Sequence, residues 1–241
     1  MKTSICLCFF FLLGSTHTRA AEISLPGDTL LHTMQDGIPH TVYIEKNRDA
    51  AAYRELTDFS FSKYQQEEFD VSYGILKKKH PEALPRRTSG LPQFWLPLYL
   101  YKGNYYAYAP CDRGFTGRRI LSDSLLIYQY SDGPFPYLID SIREVAPQHF
   151  ILKTTPPFNY ADIITKPLEL HLYILDPENQ TAIWASKDEK SNEYKFRLYV
   201  AANHVGKFDL IVNECLEKEM EFDFENIDFK ALLKTNGFQL P

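Results

Sequence analysis

The sequence predicts a mainly β fold, an antiparallel meander that forms a barrel or a two-layer sandwich with one or two short helices. Residues 94–110 are rich in aromatic, β-prone residues and are interrupted by Lys102-Gly103-Asn104, where Gly103 and Asn104 tolerate positive φ, so they predict a hairpin. Between Leu168 and Asn213, four β-prone runs alternate with turn residues at a spacing of roughly twelve residues, which is typical of sequential antiparallel strands.

Residues 1–20 have the composition of a cleaved signal peptide. Lys2 is followed by an apolar run from Ile5 to Leu13 and then by small and polar residues. The run is too short for a membrane-spanning helix, so we expect no membrane span and a periplasmic or secreted protein. Residues 21–241 are expected to form a single β-rich domain, with a weak alternative boundary at 155–167.

The charge of the remaining chain argues against nucleic acid as a partner. Loss of Lys2 and Arg19 with the signal peptide leaves 24 basic and 31 acidic residues, a formal charge of −7. Domains that bind nucleic acid usually carry a net basic surface instead. We therefore expect no nucleic-acid partner.

Of the four cysteines, only Cys111 and Cys215 follow the signal peptide. An oxidising compartment allows a disulfide between them, and closing a loop of about a hundred residues would stabilise the fold by about 4 kcal/mol in the chain-entropy account. The alternative is that each is a small buried residue with a free thiol. A catalytic role for Cys111 is less favoured, because no cysteine-protease signature surrounds it.

The region before the hairpin begins without a regular pattern, since Glu22–Pro39 shows no sustained period. His40–Lys46 predicts a strand by its β-branched and aromatic content. Ala50–Leu56 predicts a short helix capped by Asn47 or Asp49.

A longer helix is predicted over Ser62–Lys79, with Ser62 as its cap and lysines in its last turn. Gly74 is unfavourable inside a helix, so a strand over Phe69–Leu76 is the alternative. Glu82–Pro92 predicts a loop.

The chain after the hairpin is β-prone almost throughout. In the meander, apolar residues alternate with polar or charged ones, which predicts one buried face and one solvated face. A short C-terminal helix is predicted over Phe229–Lys234, capped by Asn226 or Asp228 and ended by Asn236-Gly237. The predicted strands are 124–130, 137–144, 149–154, 168–175, 181–186, 193–202 and 207–213, with a further one at 220–224. The predicted core residues of the meander are Leu170, Leu172, Ile174, Phe196, Leu198 and Val200, and the predicted solvated ones are Glu169, His171, Lys195 and Arg197.

The hairpin also supplies the candidate ligand-binding residues. Alternation along its first strand places Trp95, Tyr99 and Tyr101 on the face opposite the leucines. Indole and phenol groups combine apolar area with a polar tip, so this face is suited to a ligand or a partner. The alternative is a second packed layer that covers the same rings.

Catalytic and metal-binding motifs are absent from the sequence. It contains no HxH, HxxxH or CxxC spacing, no GxSxG and no glycine-rich phosphate loop. We therefore predict no metal, no cofactor and no catalytic residue. The sequence does not decide whether the protein is an enzyme, but this lack of motifs favours a non-enzyme.

These observations favour a secreted or periplasmic binding or accessory protein with an aromatic-rich surface or pocket. Its partner would be a small molecule, a glycan or an envelope protein. One alternative is a structural or interaction protein of the cell envelope. Another is a hydrolase whose carboxylates, drawn from the acid-rich tail, meet only in the folded chain.

Overall fold

The computed structural model describes residues 26–81, 90–111, 117–130, 133–157, 168–187, 193–215 and 221–241. The predicted signal peptide and most of the alternative domain boundary lie outside these ranges, so both stay predictions. Within the same ranges, no helix has both the length and the apolar character needed to cross a membrane.

The described residues form thirteen strands, three α-helices and one 3-10 helix. The strands are β1 (Thr29–Gln35), β2 (Ile38–Glu45), β3 (Phe94–Pro97), β4 (Tyr99–Tyr101), β5 (Asn104–Ala109), β6 (Arg119–Leu121), β7 (Leu125–Tyr130), β8 (Gly133–Ala146), β9 (His149–Thr155), β10 (Leu168–Asp176), β11 (Thr181–Lys187), β12 (Tyr194–Ala201) and β13 (Leu210–Glu214). The α-helices are α1 (Ala51–Thr57), α2 (Lys63–Lys79) and α3 (Phe229–Thr235), and the 3-10 helix is Ala202–Lys207.

Eight strands close into an antiparallel barrel in the order β10-β11-β12-β3-β6-β7-β8-β9. The predicted mainly β fold is therefore confirmed. An eight-stranded barrel has an interior just wide enough for side chains or one small ligand. Here large buried side chains fill its middle, among them Trp95, Leu126, Leu152, Leu172 and Trp184.

The other five strands form a second sheet in the order β1-β2-β13-β5-β4. β1 lies in the segment for which the sequence predicted no regular structure, so that prediction is wrong. A two-residue turn joins β1 to β2, and its residues Asp36 and Gly37 have φ angles of 52° and 82°. Asp-Gly favours such turns because both residues tolerate positive φ.

The predicted hairpin exists, but its first strand is divided between two sheets and its turn lies one residue earlier than predicted. β3 belongs to the barrel, and the chain crosses at Leu98 into the second sheet, where β4 and β5 pair. The turn residues with positive φ are Lys102 at 48° and Gly103 at 75°. Asn104 was expected in the turn and is instead the first residue of β5.

The predicted meander holds for three strands, since β10, β11 and β12 pair in succession. The fourth pairing is wrong. The 3-10 helix redirects the chain, and β13 joins the second sheet between β2 and β5.

The three helices are confirmed, and two of their predicted caps are as expected. Ser62 and Gln65 form a reciprocal capping box at the start of α2, and the Asp228 carboxylate accepts a hydrogen bond from the Ala231 amide at 2.9 Å. α1 begins instead after Ala50, which makes no side-chain cap, so the predicted Asn47 or Asp49 cap is wrong.

The barrel and the second sheet share one hydrophobic core. Ile183, Leu198 and Val200 on the outer side of the barrel pack with Leu210 and Val212 of the sheet. Residues of α1 and α3 complete the cluster, namely Tyr53, Leu56 and Leu233. The outer surface of the barrel on this side is thus buried rather than solvated.

β5 and β13 are parallel neighbours, so both strands finish at the same end of the sheet. Cys111 and Cys215 follow them, with Cα atoms 5.5 Å apart, and the structure joins them as a disulfide. This separation is within the range of native disulfides. The disulfide links the residue that follows the hairpin, Cys111, to the residue that follows β13, Cys215.

Truncation of Leu198 tests the shared core. Leu198 is 2% exposed, so Leu198→Ala should lower the free energy of unfolding by about 2–5 kcal/mol. The neighbouring Arg197 is exposed, faces the other way and makes one side-chain hydrogen bond, so Arg197→Ala should lower it by no more than about 1 kcal/mol. Denaturant unfolding of the two variants measures both. Equal losses would contradict the assigned faces.

The disulfide is tested by mass spectrometry of the mature protein under non-reducing conditions. We expect no alkylatable thiol in denaturant, and a Cys111–Cys215 linked peptide after digestion. The double variant Cys111→Ser, Cys215→Ser should unfold about 2–5 kcal/mol more easily. Two free thiols in the untreated protein would refute the bridge.

Candidate functional site

One end of the barrel gathers polar side chains that point inward. At this end β3, β7, β9 and β11 finish and β6, β8, β10 and β12 begin. We call it the chamber end, and the other the opposite end.

The strand register shows which side chains enter the barrel. Residues that face each other across an antiparallel pair lie on the same side of the sheet. Arg119 faces Trp95 on one neighbouring strand and Tyr128 on the other, and Arg197 faces Trp184. Because both tryptophans belong to the interior cluster, Arg119, Tyr128 and Arg197 point into the barrel.

Arg119 lies among three aromatic rings. Its guanidinium carbon is 4.6 Å from the ring centroid of Tyr199, 4.7 Å from that of Trp184 and 5.0 Å from that of Tyr128. These cation–π contacts stabilise the charge. Yet Nε and Nη1 of Arg119 and Nε1 of Trp184 are buried without a hydrogen-bond partner. Each such donor costs about 1–3 kcal/mol, so three together need an explanation.

Arg197 lies beside the same group of rings and is exposed. It is hydrogen-bonded to the hydroxyl of Tyr199, which itself donates to the Gly117 carbonyl at 3.2 Å. A Cβ atom on Gly117 would lie only 2.9 Å from Nη1 of Arg197. The glycine therefore leaves the space that the guanidinium occupies.

Two of the tyrosines around these arginines are both partly accessible and desolvated. Tyr128 and Tyr130 keep part of their surface accessible. Burial nevertheless raises the pKa of both hydroxyls, and in Tyr128 it outweighs the opposing effect of Arg119. Burial also raises the pKa of Tyr137 to about 12. Accessible surface that is largely enclosed by protein is typical of a concave space.

We name this group the arginine–tyrosine chamber. It can offer charged and neutral hydrogen-bond donors, together with flat apolar rings, to a molecule that enters the barrel. Its members are Arg119, Tyr128, Tyr130, Tyr137, Trp184, Arg197 and Tyr199. Lys195 points inward next to them, because it faces Ser186 on the same side of β12 as Arg197.

The opposite end of the barrel carries a mainly apolar cavity of about 210 Å³. Trp95, Phe150 and Ile174 line it, and Gln148 and Gln180 form part of its rim with φ angles of 63° and 49°. It contains no basic side chain among its lining residues.

A cavity of about 350 Å³ lies outside the barrel, between α1 and the second sheet beside Cys111 and Cys215. Its polar groups largely pair with one another or with the backbone. Tyr43 donates to Glu214 at 3.1 Å, and Nη1 of Arg118 contacts the carbonyls at the end of α1. Fewer buried polar atoms therefore lack a hydrogen-bond partner here than in the chamber.

A polar cluster on the outer side of β9 and β10 is partly satisfied, since His171 Nε2 has no hydrogen-bond partner but lies 3.5 Å from Glu169 Oε1. His149 Nε2 is 3.0 Å from His171 Nδ1, and the Tyr173 hydroxyl is 3.3 Å from the same atom. Burial lowers the pKa of both histidines, so they are neutral near pH 7. Within the described ranges, no three His, Cys, Asp or Glu side chains converge in a way that could hold a metal ion.

The structure separates the three ligand-binding residues predicted from the sequence. Trp95 is fully buried inside the barrel, where its Nε1 donates to the Pro92 carbonyl at 2.7 Å. Tyr99 and Tyr101 lie on the second sheet instead. Phe224 and Phe222 pack on them at centroid distances of 4.5 and 5.1 Å. This is the covering layer that formed the alternative to a ligand surface.

Sequence reasoning missed the chamber because it assigned Lys195 and Arg197 to a solvated outer face. It also missed β6, which carries Arg119. The one local signal was Gly117-Arg118-Arg119, in which a glycine that makes room precedes two consecutive arginines.

The double variant Tyr99→Ser, Tyr101→Ser tests whether these rings are structural. Both pack against phenylalanines of the C-terminal segment, so we expect the free energy of unfolding to fall by about 3 kcal/mol or more. Tyr64→Ser is the control, because Tyr64 is 60% exposed on α2. If the double variant keeps wild-type stability but loses a co-purifying ligand, the rings form a binding surface.

Comparisons with known proteins add no functional information. No family model, no curated protein and no solved structure matches the chain. Functional inference therefore depends on the geometry and the chemistry of the chain itself.

Proposed function

We propose that the protein is a secreted binding protein that holds a small molecule in the arginine–tyrosine chamber of its barrel. The observation that carries the proposal is the accessible aromatic and cationic surface at one end of the barrel interior. Mouths of β-barrels are frequent positions for small-molecule sites, and an eight-stranded barrel can hold one small ligand.

The connections of the barrel support an opening at the chamber end. At the opposite end, short turns join β6 to β7, β8 to β9 and β10 to β11. At the chamber end two pairs of strands are separated by more residues, 21 between β3 and β6, which include β4 and β5 of the second sheet, and twelve between β9 and β10.

Secretion is supported by the N-terminal sequence and by the cysteine pair. Disulfides persist in oxidising compartments, and Cys111 and Cys215 are placed for one. The rings of the chamber suit a carrier or a scavenger, because aromatic side chains provide a large contact area at low entropic cost.

A neutral fluorescent dye, phenylnaphthylamine, tests the proposal. We expect saturable binding with one dye per chain and energy transfer from the chain's two tryptophans. Tyr130→Ala should weaken the affinity about fivefold, since one aromatic contact contributes about 1 kcal/mol. Phe150→Ala, at the opposite end, is the matched control and should leave the affinity unchanged.

Two outcomes would overturn the proposal. One is the absence of saturable dye binding to the folded protein. The other is a loss of affinity in Phe150→Ala but not in Tyr130→Ala, which would place the ligand in the cavity at the opposite end.

A further inference from the structure

We infer that the chamber selects an oxyanion attached to a flat apolar ring system, such as an aromatic carboxylate, sulfonate or phosphate ester. This inference rests on the proposed function, and it names the class of ligand. It depends on which hydrogen-bonding groups in the chamber lack a partner, and on their charge.

Among the described residues, the buried side-chain atoms of the chamber that lack a hydrogen-bond partner are all donors. Arg119 contributes Nε and Nη1, and Trp184, which is 1% exposed, contributes Nε1. The two side chains are in contact, with the guanidinium 4.7 Å from the indole centroid. Donors without acceptors at one place indicate a missing acceptor, and a charged donor is best satisfied by an anion.

The positive charge of this space is not neutralised by the tyrosines. Burial raises the pKa of Tyr128, Tyr130 and Tyr137, so their hydroxyls are neutral at pH 7 and can donate hydrogen bonds. Arginine keeps its charge at any physiological pH. Arg119 and Arg197 therefore give this part of the barrel a positive potential, and Lys195 points into the same space.

The described acids near the chamber lie on other surfaces or at its edge. Glu169 faces outward from β10 and lies 3.6 Å from Lys153. Glu193 directly precedes β12 and is the acid nearest in sequence to Lys195 and Arg197. Neither is a partner of the Arg119 atoms that lack one.

The rings define the rest of the ligand. Tyr128 and Tyr130 stack in parallel with centroids 5.9 Å apart, and Tyr137 meets Tyr128 edge to face at 5.1 Å. A flat apolar group can stack on the accessible faces and edges of such rings, while a planar guanidinium group can bind two oxygens of one anionic head. One site thus combines apolar ring surfaces with guanidinium groups that can bind an anion.

A pair of dyes with the same aromatic skeleton separates charge from shape. Anilinonaphthalene sulfonate carries the anionic group, and phenylnaphthylamine lacks it. Titration calorimetry with the full-length mature protein should show one site for each dye, with the sulfonate bound at least about tenfold more tightly. Raising the salt concentration should weaken the sulfonate more than the neutral dye.

Two arginine variants and one control assign the effect. Arg197→Gln and Arg119→Gln should each reduce sulfonate affinity about tenfold and leave that of the neutral dye within about twofold. Arg143→Gln, an exposed arginine on the outer side of β8, should change neither. Circular dichroism checks the fold of each variant, and Arg197→Gln carries the test if Arg119→Gln does not fold, because Arg197 is exposed.

The possible failures are distinguishable. Equal affinity of the wild-type protein for both dyes would overturn the anion inference and leave the proposed function standing. The same conclusion follows if the sulfonate preference survives in both arginine variants. Absence of saturable binding of either dye would overturn the proposed function together with the inference.

Discussion

The fold depends on a layer of apolar side chains shared by the barrel and the second sheet. In most small barrels one side of each strand is packed and the other is wet. Here β12 buries its outer residues, such as Leu198 and Val200, against β13 and the helices. Stabilisation of β12 thus comes largely from outside the barrel, so its inner side does not have to supply a hydrophobic core.

Because the inner side of β12 need not be apolar, charged side chains can lie inside the barrel. Lys195, Arg197 and Tyr199 occupy the inner side of β12, and only Tyr199 belongs to the apolar interior cluster. A charged group in a fully packed barrel would be expelled or would need a counter-ion. The apolar middle of the barrel, where Trp95 and Trp184 meet at 5.7 Å, closes off the space below and leaves the polar groups at one end.

The sequence predicted the positions of the helices and strands better than the core that each of their buried residues joins. Periodicity and capping located α2, α3 and β10 to β12, because these signals are local. Leu170, Leu172, Leu198 and Val200 are buried as expected, but they belong to two different cores, the first two inside the barrel and the others outside it. Alternation reports that two faces differ, and it does not report which of them points into a closed barrel.

The same limit explains why the sequence did not show what the candidate ligand-binding residues contact. An aromatic run such as Tyr99–Tyr101 has the composition of both a binding face and a core, and the choice is made by what covers it. Phe222 and Phe224, over a hundred residues later in the chain, provide that cover. Such a long-range contact leaves no local signal in the hairpin.

The buried donors of Arg119 and Trp184 that lack an acceptor distinguish the chamber from the tyrosine–phenylalanine cluster of the second sheet. On the second sheet, the Tyr108 hydroxyl accepts a hydrogen bond from Asn213 at 2.8 Å and donates one to Glu221 at 3.0 Å, so its polar group is satisfied within the chain. In the chamber, the guanidinium of Arg119 has rings around it, and two of its nitrogens find no acceptor among the residues that the structure describes. Folding does not require an arginine there, since a leucine would fill a barrel interior at lower cost. A buried cation whose hydrogen-bonding capacity is left open is better explained by a ligand than by the fold.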